Sequence, residues 1–198
     1  MLTVQAIIFR TDKLMPEELI IEHCSPTLAG IKTGNLFSVK VINEEKLNNE
    51  IRELNDSLRD KGLRVIPLKL THKYALIYIY RPSRLMNDLK DPQASLLLKR
   101  MGYTPKNPEC CIVELVQRLK CEESFPHEIG LFLGYPPSDV ECLMKHPCSG
   151  VKCRGCWKAY SEPEKAANLF ERFRICTETY QEMHKMGKSL TQLAVTTV

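Results

Sequence analysis

The chain has 198 residues, 43% of them hydrophobic and 26% charged, with a formal net charge of +4. That length suits one packed domain of residues 1–198, the composition excludes disorder, and the charge excess is too small to imply nucleic acid. No stretch approaches the ~20 uninterrupted apolar residues of a membrane helix. The opening MLTVQAIIFRTDK has no basic leader and no small-residue cleavage site, so a cytoplasmic location is expected. Nine scattered cysteines, an odd number, then read as free thiols rather than a disulfide framework.

Val4–Arg10 is apolar and reads as a short strand or helix edge. Pro16 with Glu17 and Glu18 opens a helix, since proline suits the first turn and acids suit the positive dipole end. Leu19, Ile20 and Cys24 fall on its core side, and Pro26 is expected to end it, because the residue before proline avoids helical dihedrals. The alternation of Phe37, Val39 and Val41 predicts a strand over Phe37–Ile42. Asn43 caps a helix whose stripe is Leu47, Ile51, Leu54 and Leu58, with Gly62 as its stop. Leu63–Leu70 reads as a strand that tolerates Pro67 only at an edge or bulge. "THK" turns the chain into Tyr74–Tyr80, which is apolar throughout and therefore central.

From Pro82 the pattern is helical. Helices are expected at Ser83–Lys90, after Asp91-Pro92 as far as Gly102, and after Asn107-Pro108 with Ile112, Leu115, Val116 and Leu119 as the stripe. Two more are expected from Pro126 to Gly134 and from the prolines at 136 and 137 to before Pro147, with Asp139 serving as a cap. "CWKAY" is short, aromatic and flanked by breakers, and so reads as a strand. Ser161 and Glu164 form an expected capping box for a long helix with Ala166, Leu169, Phe170, Phe173, Cys176 and Tyr180 on its core face, ending at Gly187. No internal repeat and no linker interrupts the chain. The fold class expected is α+β: a small antiparallel sheet of three to four strands packed with several helices, and a mostly helical C-terminal half.

Two stretches, HCSPTLAGIKTGNLF (23–37) and HEIGLFLGYPPSDV (127–140), together with WKAY (157–160) and the closing GKSLTQLAV, resemble the signatures of a bacterial domain-of-unknown-function family, number thirty-seven ninety-three. The resemblance covers nearly the whole chain in order. It implies a small cytoplasmic protein, mostly from anaerobic bacteria, and carries no activity with it.

Three chemical readings follow from the residues. The leading one is binding of a small ligand or a partner protein. Both signatures carry glycines and read as lying beside helix starts, where unpaired N–H groups favour an anionic or carbonyl-bearing ligand. The residues expected around one shared cleft are Cys24, Thr27, Lys32, His127 and Glu128, with Lys32 neutralising ligand charge and Thr27 donating a hydrogen bond. The second reading is a thiol-dependent enzyme or redox protein. Ser25-Pro26 reads as a cap and first helical residue, which sets Cys24 beside a positive helix end that favours its thiolate, and His127 is a candidate base. The third is a metal protein using Cys148, Cys153 and Cys156. The spacing supplies three thiolates where a tetrahedral zinc site needs four ligands. Cys153 and Cys156 are therefore expected reduced and metal-free, with no cofactor, and zinc or iron is the alternative. No phosphate loop, nucleophile elbow or His-Glu-x-x-His motif is present.

Overall fold

A computed structural model describes residues 13–104, 107–121, 125–146 and 149–196. The expected Val4–Arg10 element and Cys148 lie outside those residues. Period-2 alternation builds the main sheet: β1 (Gly34–Lys40), β2 (Arg64–Leu70) and β3 (Tyr74–Tyr80) pair antiparallel in the order β1-β3-β2. β3 is central, as its unbroken apolar run demands. Pro67 sits on the edge strand β2, at a register shift between Pro67 and Lys69. β1 starts three residues earlier than the alternation indicates, because Gly34 pairs with Tyr80 beneath the Tyr78 ring, where any Cβ would collide.

The sheet divides two apolar cores. Phe37, Val39, Val65, Ala75, Ile77 and Ile79 face one side, which is closed by α1 (Glu17–Leu28), α2 (Glu44–Leu58) and α9 (Leu190–Leu193). Leu36, Ile66, Leu68, Leu76, Tyr78 and Tyr80 face the other. That side is closed by α3 (Pro82–Lys90), α4 (Pro92–Arg100), α5 (Pro108–Cys121), α6 (Ile129–Phe132) and α7 (Pro137–Lys145). The caps behave as their sequences require: Asn43 accepts from the Lys46 N–H, Asp91 from Gln93 and Ala94, and Asn107 from Cys110. Asn55 of α2 extends the sheet sideways, donating to the Val65 carbonyl at 2.7 Å and accepting from the Val65 N–H at 2.9 Å. Among the described residues, no helix is long and apolar enough to cross a membrane.

Four local expectations are corrected. First, α1 does not stop at Pro26 but runs to Leu28. Its last turn carries buried Thr27 and Leu28, and the Arg81 guanidinium holds their carbonyls at 2.7 Å each. Those interactions outweigh the one hydrogen bond that proline removes. Second, the helix expected from Pro126 begins only at Ile129, and Glu128 turns inward to accept from the Tyr103 hydroxyl at 3.1 Å with Arg118 at 3.9 Å. Third, the strand expected at "CWKAY" is present but shorter, as β5 (Lys158–Ala159), which pairs with β4 (Cys153–Arg154) just before it in a small hairpin packed on α8 (Pro163–Lys185). Fourth, Ser161 forms no capping box, because its hydroxyl donates to Asp139 at 2.8 Å.

Asp139 is far more than a cap. It is 3% exposed and accepts from Trp157 Nε1 at 2.9 Å, the Tyr160 N–H at 2.9 Å and the Ser161 N–H at 3.0 Å, besides the Ser161 hydroxyl. Burial by itself raises its pKa. The bonds from Tyr160, Trp157 and Ser161 outweigh that and hold the carboxyl below its ordinary value of 3.8. This one carboxylate pins the C-terminal hairpin to α7.

Arg81, 0% exposed, also donates to the Lys61 carbonyl at 2.9 Å and the Val195 carbonyl at 2.8 Å. Lysine cannot span these acceptors, so Arg81→Lys is expected to destabilise by ~3 kcal/mol or more in chemical denaturation. A loss under ~1 kcal/mol would show that the fan of bonds is not what holds the three segments.

Asp139→Ala strands several buried donors, so we expect a loss of ~2–4 kcal/mol with a red shift of Trp157 fluorescence. Because the folded Asp139 pKa is depressed, its contribution is present above about 3.8 and lost as pH falls through the folded value. An acid-unfolding midpoint unchanged in Asp139→Asn would contradict this.

Candidate functional site

The two sequence signatures do meet. Gly134 has φ +75° and presses on Thr33, leaving no room for a side chain, and Thr33 donates to Asp88 of α3. Tyr78 of β3 donates to the Phe132 carbonyl. At the edge of this seam the Lys32 Nζ lies 5.3 Å from the Tyr135 ring centroid and 6.0 Å from that of Phe173 in α8. Tyr135 is itself stacked on Trp157 at 4.9 Å and donates to the Cys156 carbonyl at 3.0 Å.

Lys32 is 6% exposed, and among the described residues no carboxylate pairs with its ammonium and no hydrogen bond satisfies it. It lines a cavity of about 430 Å³ together with His23, Asn35, Cys156, Phe173 and Arg174. The acids of that cavity are exposed Glu22 and Glu178, and Glu178 is engaged by Arg174 at 2.5 Å. Burial pushes the Lys32 pKa down to about 8, opposed by the nearby Cys156 and Cys24 thiols. The Cys156 thiol is in turn pushed up by burial, with Lys32 opposing. A buried amine that is partly neutral near physiological pH, at the wall of an open cavity, can pair with an anion or attack a carbonyl.

The other expected residues are dispersed. Cys24 lies mid-helix in α1 with 0% exposure, so the helix N-terminus expected beside it is absent, and burial drives its thiol pKa well up. Thr27 is buried and its hydroxyl donates to Asn35 Oδ1 at 2.7 Å. Glu128 is committed to Tyr103 and Arg118. His127 is exposed and lines a different, apolar cavity of about 350 Å³ whose walls include Leu36, Leu133, Val140 and Trp157. Two cavities thus stand where one shared cleft was expected.

Cys153 is half-buried in β4, and Cys156 is exposed in the hairpin turn. Among the described residues no three His, Cys, Asp or Glu side chains gather closely enough to hold a metal ion. Cys156, Phe173 and Arg174 reach the Lys32 cavity from segments more than 120 positions away. The sequence marked Cys156 only as a metal candidate and Phe173 only as core of α8, and it gave no signal for Arg174.

No curated protein and no solved structure matches this chain. The family model described as "Protein of unknown function (DUF3793)" matches residues 20–194, a span that holds both signatures, Lys32 and every wall of its cavity, and the chain therefore belongs to that family.

Proposed function

We propose that this is a cytoplasmic bacterial protein that binds a small ligand bearing a carboxylate or carbonyl group in the cavity around Lys32. The observation that carries the reading is the Lys32 ammonium, buried to 6% exposure with no counter-ion among the described residues and facing a cavity of small-molecule size. An isolated buried charge is costly, and a ligand anion removes that cost. Asn35 adds amide hydrogen-bonding capacity, and Phe173 with Phe170 gives an apolar wall to the ligand's carbon skeleton. The free thiols found at Cys24, Cys110, Cys111, Cys121, Cys142, Cys153, Cys156 and Cys176 support a reducing compartment.

Calorimetric titration with pyruvate, malonate and inorganic phosphate tests the reading. At least one should bind, with affinity reduced tenfold or more in Lys32→Met and unchanged in His127→Ala, which alters the other cavity. Because the ligand pairs with the protonated amine, affinity should fall as pH rises through about 8. Affinity lost in His127→Ala but retained in Lys32→Met would move the site to the apolar cavity and overturn the proposal.

A further inference from the structure

The setting of Lys32 suits covalent chemistry as well as charge pairing. Its Nζ stands over two aromatic faces, Tyr135 and Phe173, and opens on a cavity walled on one side by the exposed Cys156. Aromatic faces stabilise an ammonium and would equally stabilise an iminium, which carries the same charge in the same place. We infer that Lys32 is an imine-forming amine whose substrates are small aldehydes or 2-oxo acids, a deepening that rests on the binding reading above.

The bonds balance without an oxidant or reductant. The Lys32 lone pair attacks the carbonyl carbon, the C–N bond forms and the C=O π pair moves to oxygen, giving a carbinolamine. That oxygen then leaves as water, taking one proton from the amine and one from solvent on the open side where His23 stands, and the product is the protonated imine. The step needs the neutral amine. At pH 7 about one tenth of a lysine with pKa near 8 is neutral, against about one part in 2,500 for an ordinary surface lysine. The charged and titratable groups around the amine are Cys24 from α1, Cys156 from the hairpin turn and Tyr135 before α7, with Glu22, His23, Arg174 and Glu178 around the cavity.

The test is reductive trapping of the full chain with glyoxylate and cyanoborohydride, read by intact mass and peptide mapping. Lys32 should take one carboxymethyl group at least tenfold faster than any surface lysine at pH 7. Its rate should level off above about pH 8, while surface lysines keep accelerating. Lys32→Arg should remove the fast adduct, and Cys156→Ser should leave it on Lys32. Uniform labelling of surface lysines, or an unlabelled Lys32 in wild-type protein of native circular dichroism, overturns the inference. In that case Lys32-dependent anion binding in calorimetry would leave the binding reading standing, whereas loss of both results would remove both. The opposite pH trends separate them further, since binding weakens and trapping strengthens as the amine deprotonates.

Discussion

Arg81 is the constraint on which the rest of the structure depends. Its guanidinium is fully buried and, among the described residues, donates to the Thr27 and Leu28 carbonyls at the end of α1, to Lys61 at the end of the helical segment before β2, and to Val195 in the C-terminal tail. The negative end of α1 and further carbonyl dipoles favour its charge, and a rigid planar fork suits several acceptors at once. The arrangement explains why α1 survives an internal proline. It also fixes the turn that follows α1, because the Arg81 N–H bonds the Thr33 carbonyl while Arg84 reaches the Gly30 carbonyl. Lys32 lies between those two anchored points.

A second buried charge of opposite sign completes the frame. Asp139 draws the Trp157 indole and two backbone N–H groups onto α7, which seats Trp157 between Tyr135 and Phe170. Cys156 and the face of Phe173 then reach Lys32. The cavity is therefore assembled from an anchored turn, a pinned hairpin and one face of α8. The desolvation that lowers the Lys32 pKa therefore comes from the folded packing of these segments. Arg81 and Asp139 both have their charges met by several hydrogen bonds, whereas among the described residues Lys32 meets ring faces and no hydrogen-bond partner. That contrast among three buried charges distinguishes structural groups from a candidate site.

The sequence by itself determined the sheet, the order of its strands and the run of helices. Alternation in β1, an apolar run in β3, a proline confined to an edge and polar caps at Asn43, Asp91 and Asn107 are local signals. Backbone sterics and nearby hydrogen bonds read them within a few residues. It also marked Lys32, which falls in the first glycine-bearing signature, between α1 and β1. Where an expectation failed, a distant partner had entered. Arg81 kept α1 going past Pro26, Asp139 took Ser161 from its capping box, and Tyr103 with Arg118 drew Glu128 away from solvent. The cavity lay beyond reach for the same reason. Cys24 and Lys32 are eight positions apart, yet one is sealed in the core and the other opens on a cavity. Only the tertiary structure decides which side chains lose water and which keep an open face, since that depends on segments the chain brings together from its far ends.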